Sequence, residues 1–310
     1  MKKKHNHIGR PTLNGLAALS SFSSITWRTA ATVGLSLLVT GCVAPHVHLA
    51  DPLTAHAMEE EETGVVALGT TLAEDPSHVT LCSGTLVAAN LVLTARHCVS
   101  HSITQTPSCD ASGRSHNGVH LAADADPSTI GVYVGQHIRF DRDKPRAHGI
   151  QTIHPTGQIL CDADVAFLVL DRPLVGVAIL PLRLVGPVSS GDHVLPVGFG
   201  GGVAMTIGDR VGREGSTVLS IGPAANARTG AVLGPREFEV DRATCRGDSG
   251  GPAIDAATGE VVGVVSRGGS CSAPGNHVYT RIDSYASLAR LALREASRAA
   301  AAAESVAAAR

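Results

Sequence analysis

Short apolar runs of the β type, bounded by Gly, Pro, Asn or Asp, recur along the chain from residue 65 to residue 282. Parallel α/β sheets alternate strands with helices of about ten residues or more, and this chain lacks that alternation. One set of runs precedes Asp171-Arg172-Pro173 and a second follows it, so each set could fill one β-barrel. The only convincing long helix begins near Ser284 and continues into an alanine-rich end. We therefore predict an all-β body with one terminal helix. The runs are 65–68, 85–87, 91–95, 130–134, 165–170, 194–197, 217–221, 238–240, 261–265 and 277–282.

The first 41 residues are typical of an export signal. A basic start and Arg28 precede an apolar run at 30–39, which is shorter than the about 20 residues needed to span a bilayer. The run ends at Val39-Thr40-Gly41-Cys42, which resembles the bacterial lipobox. It implies cleavage before Cys42, a diacylglycerol on that residue, and a membrane-anchored periplasmic or cell-surface lipoprotein. The site Ala55-His56-Ala57 leaves an ordinary cleaved signal and a secreted protein open. Residues 42–62 are expected to form a solvated tether.

Setting Cys42 aside leaves six of the seven cysteines, an even set that suits three disulfides in an oxidising compartment. None of them lies in a C-x2-C pair, and His116-x3-His120 lies in a polar stretch, so no metal site is expected. The formal net charge of −2 gives no reason to expect nucleic-acid binding, which needs clustered basic residues. No organic cofactor is implied.

The stretch TCRGDSGGPA at 244–253 places Ser249 in a Gly-x-Ser-x-Gly pattern. An α/β-hydrolase with this pattern would order its catalytic residues as serine, acid and histidine. After Ser249 the only histidine is His277, and the acids between them are crowded together. A histidine and an acid lie upstream instead, at His97 and Asp164. The order histidine, acid, serine therefore fits better.

Three motifs occur in that order. They are Leu-Thr-Ala-Arg-His-Cys at 93–98, Asp-Ala-Asp-Val-Ala-Phe-Leu at 162–168 and Gly-Asp-Ser-Gly-Gly-Pro at 247–252. Together they resemble the histidine, acid and serine motifs of the chymotrypsin/trypsin-like serine proteases, and the resemblance spans roughly 65–287. It implies a protease domain at 63–290 and a monomer that acts on protein or peptide substrates. The implied architecture is two six-stranded antiparallel β-barrels at about 63–175 and 176–283, a C-terminal helix from about 284, and an alanine-rich tail at 291–310.

The resemblance assigns a role to each residue of a catalytic triad. Ser249 would attack the peptide carbonyl, His97 would take the hydroxyl proton and return it to the leaving amine, and Asp164 would orient the imidazole. Asp162 is the alternative acid, although Asp164 is the one that directly precedes the apolar run. The N–H groups of Gly247 and Ser249 would form the oxyanion hole.

The resemblance also implies a disulfide pattern and an unusual insertion. The pairs would be Cys82 with Cys98, Cys245 with Cys271 and, from the cysteines that remain, Cys109 with Cys161. This last pair would bracket a polar insertion at 100–126, which makes the interval between His97 and Asp164 longer than is usual in the family.

The chain departs from the family pattern in two ways that bear on catalysis. Arg96 stands where the family usually has alanine, and a cation there would either disfavour the His97 imidazolium or simply reach solvent. The family's Ile-Val-Gly-Gly segment, whose new α-ammonium pairs with the aspartate before the serine, is not found before Val65. We hypothesise that Asp248 is stabilised by another cation or by local hydrogen bonds, and that activity needs no precise N-terminal cut.

The resemblance implies that four residues shape the primary specificity pocket: Ala243, Ser266, Gly268 and His277. Ala243 replaces the aspartate that attracts lysine or arginine, so a preference for these residues is not expected. His277, with Arg246 and Arg267 at the rim, favours an acidic or small P1 residue. An apolar pocket with His277 pointing elsewhere remains the other interpretation.

A catalytically silent family member is the alternative function. It would be a surface lipoprotein that uses the same scaffold to bind proteins. The complete triad argues against it, whereas Arg96 and the missing activation segment keep it open.

Overall fold

The structure is a computed structural model, and it describes residues 63–72, 75–104, 106–201, 207–213, 215–242, 244–268, 271 and 275–308. The predicted export signal at 1–41, the tether at 42–62 with Cys42, and the predicted pocket residue Ala243 lie outside the described residues.

The first half of the domain contributes eight strands. In chain order they are β1 (Val65–Leu72), β2 (Asp75–Ala88), β3 (Leu91–Thr94), β4 (Ser100–Ser102), β5 (Leu121–Asp124), β6 (Ile130–Tyr133), β7 (Ala147–Ile153) and β8 (Ala166–Leu170). Six of them close into an antiparallel barrel in the order β1-β2-β3-β8-β7-β6, with β6 pairing back onto β1. The remaining two, β4 and β5, form a hairpin inside the predicted insertion.

The second half contributes nine strands. They are β9 (His193–Gly198), β10 (Val211–Gly212), β11 (Ser216–Ile221), β12 (Ala224–Ala225), β13 (Val232–Leu233), β14 (Glu237–Val240), β15 (Pro252–Asp255), β16 (Val261–Arg267) and β17 (His277–Arg281). The order β9-β11-β14-β17-β16-β15 is closed by pairing of β15 with β9, and β10 extends from the end of β9. Two closed six-stranded barrels confirm the predicted fold class.

Large apolar side chains fill each barrel. Leu68, Leu93 and Phe167 are fully buried in the first barrel, and in the second the rings of Phe238 and Tyr279 stack with their centroids 5.2 Å apart. All five residues of β8 are buried, as expected of a strand that is covered on both faces. The apolar runs of the sequence are therefore the runs that form the two cores.

A third apolar cluster joins the barrels. Val65 and Ala67 on β1 pack with Val197, Phe199 and Ile254 from the second barrel. Phe199 is fully buried at this junction. The two barrels therefore face each other across a fixed interface, and residues from both halves of the chain meet in one cleft.

A single long helix ends the described chain. A 3-10 turn at Asp283–Tyr285 leads into α1 (Ala286–Ala308), which continues through most of the segment predicted as an alanine-rich tail. Ala289, Ala292 and Ala296 are buried against the first barrel, whereas residues 301–308 are exposed. Within the described residues no helix combines the length and the apolar character needed to cross a bilayer.

Candidate active site

His97 lies on a 3-10 turn, Arg96–Cys98, that directly follows β3. The disulfide between Cys82 and Cys98 ties this turn to β2, and the backbone N–H of His97 donates to Asp164 Oδ1 at 3.0 Å. The imidazole is 19% exposed. His97 is thus held at its backbone from two sides while its ring still reaches the cleft.

Asp164 binds the imidazole with its other carboxylate oxygen. Its Oδ2 lies 2.8 Å from His97 Nδ1 and 2.7 Å from Ser266 Oγ, and the residue is fully buried. An ionised carboxylate only accepts hydrogen bonds, so Nδ1 carries the proton in this contact. The neutral ring is therefore left with Nε2 as its proton acceptor, which is the tautomer that a general base needs.

The two groups shift each other's ionisation. Burial acts to lower the pKa of His97, but the Asp164 carboxylate outweighs it, so the pKa stands above its ordinary value. Burial acts to raise the pKa of Asp164, but the charge of His97 and the hydrogen bonds from His97 and Ser266 hold it below its ordinary value. The pair favours an anionic aspartate and stabilises the imidazolium that forms when His97 takes a proton.

The turn around Ser249 is fixed by Ser83 of β2. The backbone N–H of Ser83 donates to the carbonyl of Ser249, and Ser83 Oγ donates to the carbonyl of Gly247, both at 2.8 Å. Gly250 has φ +80°, and a Cβ there would lie 2.1 Å from Thr94 Oγ1. Only glycine fits at that position, because any side chain would collide with β3 and strain the backbone.

The amides of Gly247 and Ser249 are candidate oxyanion donors. Among the residues that the structure describes, no group accepts a hydrogen bond from either N–H. Ser249 and His97 line the same cleft, but the Ser249 hydroxyl makes no hydrogen bond to the imidazole here. Catalytic hydrogen bonds are often long in unliganded sites and shorten when substrate binds.

Asp162, the alternative acid, lies in a different network. Its backbone is left-handed with φ 62°, its Oδ1 accepts the backbone N–H of Arg236, and its carbonyl accepts the hydroxyl of Tyr285. Burial raises the pKa of Asp162. Asp164, not Asp162, is the carboxylate brought to His97.

Arg96 does not reach solvent, which was one of the two outcomes expected from the sequence. Its side chain is only 7% exposed, and Nη2 lies 2.8 Å from Asp124 Oδ1 on β5. Further hydrogen bonds go to Ser100 Oγ and the carbonyl of Pro155, and Nη1 also contacts His154. The guanidinium is therefore turned away from solvent and its charge is offset by the insertion.

Of the predicted pocket residues that the structure describes, Ser266 and Gly268 line the cleft and His277 does not. Gly268 lines the cleft, and a Cβ there would lie 3.0 Å from both His277 Nδ1 and Thr244 Oγ1. Ser266 also lines it, but its hydroxyl is bound to Asp164. His277 is fully buried behind Thr244, whose backbone N–H donates to His277 Nδ1 at 3.1 Å. Thr244, which sequence reasoning did not select, also lines the cleft, and its Oγ1 lies 3.1 Å from His277 Nδ1.

The two arginines at the rim differ in their partners. Arg267 forms a bidentate pair with Glu237, a fully buried carboxylate, at 2.5 and 2.7 Å. Arg246 is exposed and has no ion-pair partner among the described residues. Asp164 supplies the only carboxylate among the described residues of the cleft wall. The described cleft wall therefore has no carboxylate that is free of His97 and Ser266.

The insertion forms one wall of the cleft. Thr104, Thr106, Pro107 and Ser108 line it, and the Cys109–Cys161 disulfide ties the insertion to the segment before Asp164. The cleft volume is about 1160 Å³, which exceeds the roughly 300–1,000 Å³ of small-molecule pockets. All three disulfide pairs implied by the resemblance are present.

One grouping of possible metal ligands occurs among the described residues, at Cys82, His97 and Cys98. Both cysteines are joined in a disulfide, and metals bind the thiolate form of cysteine. This grouping therefore offers no metal site.

Comparison with known proteins gives matches over the same region. The family model described as Trypsin matches residues 65–289. A protein C activator of Agkistrodon piscivorus leucostoma is 28% identical over 224 residues, covering 66% of this chain and 74% of the relative. The beta-fibrinogenase brevinase of Gloydius blomhoffii is 27% identical over 227 residues, covering 66% and 82%.

Solved structures share the fold. The scabies mite inactivated protease paralogue S-I1 aligns with a TM-score of 0.56 at 21% identity, covering 75% of this chain and 94% of that one. Neuropsin, a serine protease expressed in the limbic system of mouse brain, aligns with a TM-score of 0.52 at 20% identity, covering 74% and 94%. At such identities the likeness concerns the fold alone.

Proposed function

The chain belongs to the trypsin family, and on that premise we propose that it is a serine endopeptidase acting through His97, Asp164 and Ser249. The observation that carries the proposal is that the Asp164 carboxylate accepts two hydrogen bonds from His97, one from the backbone N–H at 3.0 Å and one from Nδ1 at 2.8 Å. A purely structural histidine would need neither this tautomer nor an imidazole that lines the same cleft as Ser249.

The reaction would proceed in two halves. His97 Nε2 takes the proton of the Ser249 hydroxyl as Oγ attacks the peptide carbonyl, and the oxyanion is held by the N–H groups of Gly247 and Ser249. The imidazolium then protonates the leaving amine as the C–N bond breaks, which leaves an acyl-enzyme. Water, deprotonated by His97, attacks the ester, and the acid is released with the proton returned to Ser249.

The pocket supports cleavage after residues other than lysine or arginine. No carboxylate other than Asp164 lines the described cleft wall, and that one is occupied by His97 and Ser266. A P1 ammonium or guanidinium would therefore find no counter-ion. Thr244 and the exposed cation of Arg246 favour a small or acidic P1 residue.

Peptides that differ only at P1 test this preference. We expect Glu or Ala at P1 to be cleaved with a higher kcat/KM than Lys. Equal cleavage of P1 Glu and P1 Leu peptides would remove the acidic preference and leave an apolar pocket. Arg246→Gln should lower the Glu to Ala ratio, and Arg228→Gln, an exposed change outside the cleft wall, serves as its control.

A fluorophosphonate probe tests the catalytic proposal itself. The Ser249 oxygen would displace fluoride from the probe, so mass spectrometry should find the adduct on a peptide that contains residue 249. Ser249→Ala and His97→Ala should both abolish labelling. No labelling of folded, disulfide-bonded wild-type protein would favour the silent binding scaffold.

We also propose export and membrane attachment through Cys42. Three disulfides support an oxidising compartment, and the lipobox-like Val39-Thr40-Gly41-Cys42 supports a lipid anchor. Labelled palmitate should enter the wild-type chain and not Cys42→Ser. Release of unlabelled protein into the medium would support secretion after an ordinary signal cleavage.

A further inference from the structure

Asp248, the residue before Ser249, is a carboxylate buried within the second barrel. Its side chain is 1% exposed. Oδ1 accepts the backbone N–H of Gly200 at 2.8 Å, and Oδ2 accepts the backbone N–H of Cys245 at 2.7 Å. Arg213 Nη2 lies 2.7 Å from the same Oδ2. The carboxylate thus has two amide donors and one cation.

The backbone of the neighbouring segment lies close against this carboxylate. A Cβ on Gly198 would lie 2.3 Å from Asp248 Oδ1, and one on Gly200 would lie 2.6 Å from its Cγ. The two glycines therefore let the chain close directly around Asp248. A buried carboxylate in so tight a site requires a counter-charge, because desolvation strongly disfavours an unpaired charge.

Arg213 is itself held in place by the barrel. It follows β10 directly, its N–H donates to the carbonyl of Pro196 at 2.9 Å, and its carbonyl accepts Ser216 Oγ at 2.7 Å. Its side chain is 11% exposed. The cation therefore comes from within the folded domain and stays close to Asp248.

The orientation of Asp248 determines the geometry of its neighbours. Its N–H donates to the carbonyl of Cys245 at 3.0 Å, and its carbonyl accepts the N–H of Gly251 at 2.9 Å. The candidate oxyanion donors, Gly247 and Ser249, are bonded to Asp248 on either side. Burial raises the pKa of Asp248, and Arg213 with the two amides opposes that rise. Without Arg213 the carboxylate would tend to protonate or turn away.

We propose that Arg213 is a positioning residue: it holds Asp248 and so keeps the Gly247–Ser249 turn in its working geometry without an α-ammonium made by an N-terminal cut. The described part of the chain before β2 gives this proposal independent support. Val65 pairs with Thr85, and the carbonyl of Gly64 accepts the N–H of Leu86 at 2.7 Å. This segment is part of the first barrel, whereas the groups that bind the Asp248 carboxylate come from the second half of the domain. The inference rests on the proposed protease function.

The test uses the protein that begins at Cys42 after removal of the export signal, with intact mass showing that no cut has occurred between Cys42 and Val65. We expect this protein to be labelled at Ser249 and to cleave peptides. Arg213→Met should lower both labelling rate and kcat/KM by about 100-fold or more, the size of effect seen when oxyanion donors are lost. Arg213→Ala should show a similar loss, and because its short side chain leaves the volume of the guanidinium empty, added methylguanidinium should restore at least about tenfold of that loss. Arg213→Lys should fall between the wild type and Arg213→Met.

Arg183→Met is the matched control. Arg183 is 15% exposed and pairs with Asp255 at 3.0 Å, so it is another nearly buried ion pair of the second half. Its loss should reduce stability and leave kcat and labelling close to wild type. An Arg213→Met protein that is folded and labelled as fast as this control would overturn the inference, as would activity that appears only after an N-terminal cut.

Hydrogen exchange separates this inference from the proposed function. A peptide spanning 244–253 should exchange faster in Arg213→Met than in Arg183→Met, whether or not the protein is catalytic. Faster exchange with no labelling of the wild type would refute the protease function and leave the structural role of Arg213. Labelled wild type with unchanged exchange and unchanged labelling in Arg213→Met would refute the role of Arg213 alone. If Arg213→Met does not fold, the same comparison is made with Arg213→Lys.

Discussion

Arg96 Nη2 lies 2.8 Å from Asp124 Oδ1, so the cation next to His97 in sequence is paired with the insertion. His154 Nε2 contacts the other oxygen of the same carboxylate at 2.9 Å. The segment predicted as an insertion between His97 and Asp164 thus supplies the negative charge that pairs with Arg96. We regard Arg96 and the insertion as one structural unit.

The first prediction concerns Asp124→Asn. The freed positive charge of Arg96 should disfavour the His97 imidazolium and move the inflection of kcat/KM against pH to lower pH. Stability should fall by about 1–3 kcal/mol, less than for a fully buried pair because Asp124 is partly exposed. The pH profile and urea unfolding measure the two effects. Asp126→Asn, a change at an exposed cap of the same region, should alter neither, and an unmoved inflection in Asp124→Asn would contradict the prediction.

A second prediction concerns the wild-type pH profile. His97 must be neutral to accept the Ser249 proton, and its pKa is raised above the ordinary 6.5 by Asp164. Activity should therefore be low below pH 6.5 and rise with pH, with its half-point above 6.5. Measurement of kcat/KM across pH checks this directly. A half-point below 6.5 would mean that burial outweighs Asp164.

Ser266 gives a third prediction, because its hydroxyl donates to Asp164 at 2.7 Å and not to the pocket. Ser266→Ala should lower kcat by about tenfold, the lower end for a hydrogen bond to a charged group, with little change in KM. Ser220→Ala, which removes a similar bond to Glu239, should leave kcat unchanged. A raised KM with constant kcat would instead make Ser266 a substrate-binding residue.

The fourth prediction concerns the Cys109–Cys161 disulfide. The double change Cys109→Ala/Cys161→Ala should lower the free energy of unfolding by about 2–4 kcal/mol. The insertion lines the cleft, so KM for extended peptides should rise more than KM for a short ester that occupies only the P1 pocket. Calorimetry and paired kinetics provide the readouts. Equal effects on both substrates would mean that the insertion does not contact the extended chain.

The fold class and the candidate triad could be predicted because their signals are local in the sequence. Short apolar runs bounded by turn residues indicate strands. Each residue of the candidate triad lies in a motif, and the adjacent residues of that motif suit the backbone conformation required there. Gly250 is an example, since its φ of +80° and its contact with Thr94 demand the glycine that the motif contains. The order of the motifs and the strand pattern together argued against an α/β-hydrolase.

The ion pairs could not be predicted from the sequence, because nothing in a linear sequence specifies which charged side chains are buried together. Arg213 lies in no motif, yet its side chain is the cation on Asp248. The sequence by itself determined two β-barrels and a histidine, an acid and a serine in a recognisable order. These signals are local, because the residues next to each position reflect the backbone conformation that the position requires. Only the tertiary structure decided that Arg96 turns to Asp124, that Ser266 serves Asp164, and that His277 lies behind Thr244. Those contacts depend on how closed barrels bring distant segments together and on which charges must find a partner once water is excluded.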